Sequence, residues 1–337
     1  MRAGRRALRT IRGDAAPRVR FIVYGAGAIG GVIAARLDQH GHEVLLIARG
    51  PHLDAIRRNG LRVESTDGAE VVALPAVGHP DEIAWRADDV VLLATKTHDT
   101  AAALDALASA APPECRIACA QNGVENERLA LRRFAHVCGV AVMCPAAHLE
   151  PGVVEAFAAP TTGILDVGRW PAGADETACA IAAAFGAATF ASEPRADIAR
   201  WKYRKLILNL GNAVQALCAS GGGELVRRAR AEGEACLRAA GIDVASEAED
   251  RERRGELLRI GSIAGRARPG GSTWQSLTRA RGSIETDYLN GEIVLLGRLH
   301  GVPTPVNALL QRLAAQAARE RRPPGGFSED ALLRLLG

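Results

Sequence analysis

Three lysines, Lys96, Lys202 and Lys205, stand in a chain of 337 residues whose other 39 Lys/Arg positions are all arginine. Where arginine is so strongly favoured, a remaining lysine marks a place where a guanidinium would fail. The chief difference is proton transfer, since an ammonium can lose a proton near neutral pH and a guanidinium effectively never does. Two of the three lie in WKYRKLILNLGN, Trp201 to Asn212. On a helix of 3.6 residues per turn, Lys205, Asn209 and Asn212 recur at i, i+4 and i+7, so an ammonium and two carboxamides share one face. Set among Leu206, Ile207, Leu208 and Leu210, that stripe is costly unless it is hydrogen-bonded or functional. It suits polarising a carbonyl, stabilising an oxyanion and delivering a proton. Neighbouring Lys202 and Arg204, with partial burial, are expected to lower the Lys205 pKa. Lys202 itself reads as a stem on the core with its head in solvent.

A second constellation follows in GSTWQSLTRARGSIETDYLNGEI, which gathers Ser272, Thr273, Gln275, Ser276, Glu285 and Asp287. A carboxylate from this stretch facing the helix lysine would balance and orient it, and the small hydroxyls would bind a substrate carboxylate. Spacing alone does not make them converge.

The elements that must position these groups begin at Val19. VRFIVY reads as an apolar strand, GAGAIG fills Gly25 to Gly30, GVIAARLDQHG reads as an amphipathic helix closed by Gly41, and EVLLIAR as a second strand. A glycine fingerprint between a strand and a helix inside a complete βαβ unit marks a dinucleotide site. Gly25 permits the tight turn, Gly27 lets backbone approach a pyrophosphate and Gly30 lets helix and strand pack closely, with Ala26, Ala28 and Ile29 between them. Unpaired N–H groups at the helix start then meet the anion. The second strand ends in Arg49, where an NAD-preferring site would carry a carboxylate for the ribose 2′-hydroxyl; a guanidinium favours a 2′-phosphate, hence NADP(H). DDVVLLATK puts Lys96, and CRIACAQNG puts Asn122, at the carboxyl ends of two further strands, where open α/β sheets bind their ligands. His98 reads as a solvated loop residue.

After SEPRAD, Ser192 to Asp197, the alternation gives way to long helical stretches. The expected organisation is a disordered tail over 1–18, a Rossmann-type dinucleotide-binding domain over 19–194, a helical substrate and catalytic domain over 195–322, and a tail helix over 323–337. With 48% apolar residues the chain can bury a core of that size. A net charge of +4 and 4% aromatic residues argue against nucleic acid as a partner. The longest apolar runs fall well short of the roughly 20 residues of a membrane span. Seven cysteines without CxxC spacing read as reduced core thiols of a cytoplasmic enzyme, with no metal site. The Arg-rich first 18 residues lack an apolar h-region and resemble a transit peptide only loosely. The apolar helical half would suit a homodimer and equally a monomer.

GAGAIG, Lys96, the QNG of Gln121 to Gly123, RKLILN at Arg204 to Asn209 and IETDYLNG at Ile284 to Gly291 together resemble the ketopantoate (2-dehydropantoate 2-) reductase family over residues 19 to 320. The resemblance implies an N-terminal Rossmann domain holding NADPH and an all-α C-terminal domain of the 6-phosphogluconate dehydrogenase C-terminal-like kind, with the site in the cleft between them. It implies hydride transfer to ketopantoate, giving pantoate for coenzyme A biosynthesis. Lys205 matches the catalytic lysine that protonates the alkoxide, and Glu285 the carboxylate supporting that lysine and the substrate. Asn209 matches a substrate contact, with Asn212 and Ser272 or Thr273 as further matches, while Arg49, Lys96 and Asn122 match cofactor contacts. The pattern departs at Asn212, which comes one residue early, at Gly222, where an asparagine is expected, and along Ser272 to Ser276. Those departures keep open another 2-oxo acid or ketone as substrate. A non-catalytic NADPH-binding sensor is the alternative from a different class.

Overall fold

A computed structural model describes residues 19–220, 222–280 and 282–337. The Arg-rich first 18 residues, read above as a tail, lie outside the described residues. The run RFIVY forms the strand Arg20–Tyr24, whose first four residues are buried. Such a continuous apolar run is what a parallel strand covered on both faces requires. It sits inside an eight-stranded sheet in the order Phe190–Ala191, Gly163–Arg169, His136–Met143, Arg116–Cys119, Val90–Leu93, Arg20–Tyr24, Glu43–Ile47, Ala76–Val77. Pairing is parallel except between Gly163–Arg169 and His136–Met143. The chain leaves the central strand Arg20–Tyr24 toward one edge and returns beside it at Val90–Leu93. The carboxyl ends of these two neighbours therefore border the crevice where the strand order reverses.

The helix Ile198–Asn209 opens the helical half, followed after Leu210 by the helix Gly211–Leu217. It lies against the strand His136–Met143. The expectation for Lys202 is corrected here. Its side chain is 2% exposed and pairs with Glu127, itself wholly buried, and its Nζ also donates to the carbonyls of Gln121 at 3.0 Å and Val140 at 3.4 Å. Gly139 makes room, because a Cβ there would stand 3.1 Å from the Lys202 Cδ. Burial pushes the Glu127 carboxyl up, against the opposite pull of Lys202. Arg204 points elsewhere, donating through Nε to the Ala245 carbonyl at 2.8 Å.

A single hydrophobic cluster joins the two halves, running from Ile22, Val91 and Leu93 of the sheet to Leu206, Ile207, Leu289 and Leu310 of the helices. Farther out, Arg253 of the helix Glu247–Arg254 grips buried Asp166 of the sheet with two donors, at 2.9 and 2.7 Å. The chain end also has a structural task. Phe327 bridges to Cys218, and the Glu329 carboxylate accepts from the backbone N–H groups of Gly222 and Leu225 at 2.9 and 3.0 Å. It thereby caps the helix Gly223–Ala239, whose first turn offers no side-chain cap of its own. Among the described residues no helix is long and apolar enough to cross a membrane, and no group of His, Cys, Asp or Glu is arranged to hold a metal ion. The seven cysteines are free thiols, and Cys179 is exposed rather than in the core.

Candidate active site

A cleft of about 680 Å³ runs from the glycine loop to the helix Ile198–Asn209. The three fingerprint glycines meet different constraints. Gly25 has φ +102°, and a Cβ there would lie 2.8 Å from the backbone of Ala94 and Thr95; at Gly30 it would lie 2.0 Å from the Gly25 carbonyl oxygen. At Gly27 a Cβ would meet no protein atom within 4 Å. The protein's own packing thus requires two of the glycines, and the third leaves open space over the start of the helix Ala28–Gln39. That helix has no capping side chain and no acidic residue in its first turn. The cradle fits a dinucleotide pyrophosphate: room, unpaired N–H donors and the positive end of a helix dipole coincide.

His52, which sequence reading passed over, holds this loop from behind. Its Nδ1 accepts from the Gly152 N–H at 2.8 Å, so its Nε2–H donates to the Ala26 carbonyl at 2.7 Å. At the far rim, Arg49 is 77% exposed and pairs with Asp99 at 2.7 Å.

Lys96 and Glu285 come from opposite halves and form an ion pair. The other Glu285 oxygen accepts from the Thr97 N–H at 3.0 Å and the Thr97 hydroxyl at 3.1 Å. Burial drives the Glu285 carboxyl up, but Lys96 and the Thr97 donors outweigh it and the net direction is down. The expectation that Glu285 faces Lys205 is therefore corrected: its carboxylate is spent on Lys96 and Thr97. Asn122 is reached across the cleft by Asn209, whose Nδ2 donates to its Oδ1 at 3.0 Å, and its backbone carbonyl accepts from Asn126 at 2.9 Å.

Lys205 and Asn209 line the cleft from one helix, as the i, i+4 spacing predicts, and Asn212 joins them from the next helix beyond the break at Leu210, together with Ser272, Gln275 and Ser276. Thr273 does not. On the helix Ser272–Thr278 it turns into the protein and is buried, while Ser272, Gln275, Ser276 and Arg279 share the cleft face. Gly222 also lies away from the cleft, against Val214. Lys205 has its pKa lowered to about 8, first by burial and then by Arg254 and Arg268, with Asp250 and Cys144 opposing. The expected direction holds, but its neighbours are these arginines and not Lys202 and Arg204. Arg230, Arg254, Arg268 and Arg279 line the cleft as well. No sequence signal singled them out, because one arginine in this chain looks like any other.

Comparison with known proteins is consistent across sequence and structure. Residues 21–172 match the family described as ketopantoate reductase PanE/ApbA, and residues 197–318 match its C-terminal counterpart. The chain is 32% identical to a 2-dehydropantoate 2-reductase of Caulobacter vibrioides over 88% of this chain and 98% of that one. With the 2-dehydropantoate 2-reductase of Halobacterium salinarum it shares 28% identity over 90% and 100%. A crystal structure of a PanE/ApbA family ketopantoate reductase from Ralstonia eutropha superposes with a TM-score of 0.74 at 30% identity, covering 90% of this chain and 99% of that one. A ternary structure of D-mandelate dehydrogenase with NADH and anilino(oxo)acetate shares the fold, with a TM-score of 0.76 at 21% identity and coverage of 90% and 99%.

Proposed function

Because the chain belongs to the ketopantoate reductase family, we propose that it reduces a 2-oxo acid to the 2-hydroxy acid with NADPH, ketopantoate to pantoate in the first instance. The carrying observation is Lys205, an ammonium on the cleft wall with its pKa brought to about 8. A bound nicotinamide supplies a hydride to the ketone carbon. As charge develops on the carbonyl oxygen, Lys205 stabilises it and then gives up its proton there, a transfer made easier by the lowered pKa. Asn209, tied to Asn122 across the cleft, keeps the helix face in register with the cofactor half, and Ser272 offers a donor to the substrate carboxylate. The Lys96–Glu285 pair closes the two halves over the site.

NADPH is preferred over NADH in this reading because Arg49 stands at the end of the second strand and can exchange Asp99 for a 2′-phosphate. The pathway to pantothenate and coenzyme A follows if ketopantoate is the substrate. A second reading, another 2-oxo acid on the same scaffold, is favoured by the arginines around Lys205 and by the D-mandelate dehydrogenase that shares the fold. The deciding experiment is NADPH oxidation at 340 nm by the purified protein with ketopantoate, pyruvate and 2-oxoisovalerate. Turnover with any of them supports reduction of a 2-oxo acid, and ketopantoate as the best would assign the substrate. NADPH binding without turnover of any 2-oxo acid would mean that the cofactor half is read correctly and the substrate is not, leaving reduction of another ketone or the sensor.

A further inference from the structure

The substrate end of the cleft carries more positive charge than one carboxylate can answer. Lys205, Arg230, Arg254 and Arg268 all line the cleft, and Arg254 and Arg268 both act on Lys205 through space. Asp250 pairs with Arg254 at 3.0 Å, while Glu285 is already committed to Lys96 at the cofactor side. Arg230 and Arg268 each have a buried Nε with no hydrogen-bond partner. Burial presses the Arg268 guanidinium toward lower pKa, the signature of a cation taken out of water without its counter-ion. Arginine is the default base of this chain, so the residue type carries no message. Its placement does, because guanidinium groups that line a cleft with a desolvated Nε and no carboxylate paired to them are costly unless an anion balances their charge.

Resting on the 2-oxo acid reductase reading, and taking its second form with another 2-oxo acid in place of ketopantoate, we propose that the substrate is dianionic: a 2-oxo acid with a second anionic group, carboxylate or phosphate, at its far end. The 2-carboxylate sits by the reacting carbonyl near Ser272 and Lys205. The second anion is received by the guanidinium groups of Arg268 and Arg230, whose planar forks match either oxyanion. Ketopantoate, with one carboxylate and a neutral hydroxyl, leaves these donors unanswered.

The test compares kcat/KM for 2-oxoglutarate and 2-oxo-4-phosphonobutanoate with that for 2-oxopentanoate, a monoanion of the same chain length as 2-oxoglutarate, and for ketopantoate. A dianion is expected to be favoured by about 100-fold over both monoanions, mostly through KM, and the better of the two dianions identifies the second group. Arg268→Gln and, separately, Arg230→Gln should each cut kcat/KM for the dianion by about 10- to 100-fold and for 2-oxopentanoate by far less. Ketopantoate or 2-oxopentanoate reduced as well as either dianion would overturn the proposal and leave the reductase reading standing. If no 2-oxo acid is reduced, the reductase reading falls, and calorimetry with the unreactive dicarboxylate N-oxalylglycine on the NADP+ complex decides alone. Binding weakened by Arg268→Gln would support a dianion site, and absent or arginine-independent binding would sink it.

Discussion

Lys205 is set to act as an acid first by burial and then by two arginines that sequence spacing did not reveal. With its pKa at about 8, the group is protonated below that pH, and a proton donor works only in that form. The kcat/KM profile should therefore fall as pH rises through about 8, that parameter reporting groups of the free enzyme. Arg254→Gln removes a positive charge that lowers the pKa and leaves Asp250 to raise it. The falling limb should then move to higher pH, and a limb unmoved in this variant would exclude Lys205 as its source. Lys205→Ala is expected to lose about 10²- to 10⁴-fold in kcat while binding NADPH normally in a fluorescence titration; retained turnover would end the proposed role. Arg49→Ala should weaken NADPH by about 10- to 100-fold and leave NADH nearly untouched, so equal losses for both cofactors would remove the basis for NADP(H).

At the scale of the element, the glycine loop separates what the fold needs from what the ligand needs. Gly27→Ala adds a methyl group into open space at φ −72°, an ordinary backbone conformation, so the thermal midpoint should stay within a degree or two of the parent while NADPH affinity drops. Gly30→Ala forces a Cβ to 2.0 Å from a carbonyl oxygen and should lower the thermal midpoint itself. Comparable behaviour of the two variants in calorimetry would contradict this division. The loop was legible in sequence because strand, glycines and helix are contiguous, and so was the face shared by Lys205 and Asn209, whereas the break at Leu210 that puts Asn212 on the next helix was not. Thr273 was misplaced because adjacent residues on a short helix point about 100° apart, and nothing in STWQS says which one meets the cleft. The partners of Glu285 and Lys202 were not legible, since each pairing crosses from one half of the chain to the other.

For the whole molecule, the Lys202–Glu127 pair is one of the buried links that fix the helix Ile198–Asn209 to the first half. A buried ion pair adds little net stability over apolar packing, but removing one partner strands a charge in the core and costs about 3–5 kcal/mol. Lys202→Ala should therefore lower the urea-unfolding free energy by about that amount, well beyond a surface lysine, and Lys202→Met, which fills the channel beside Gly139, should not rescue it while Glu127 remains. The double variant Lys202→Met with Glu127→Leu is expected to recover much of the loss.

This bond also dictates where the gene can be recombined. The change of sequence texture near Pro194 invites a crossover there, yet such a chimera would set a relative's helix, with whatever residue it has at position 202, against Glu127 and Gly139 of this sheet. A crossover at Leu210, in the break between the helices Ile198–Asn209 and Gly211–Leu217, lets the helix travel with the sheet that holds its buried lysine. Substrate halves exchanged at Leu210 should give soluble, NADPH-binding hybrids more often than those exchanged at Pro194, and the inheritable unit for cofactor and proton donor together is then the first 210 residues.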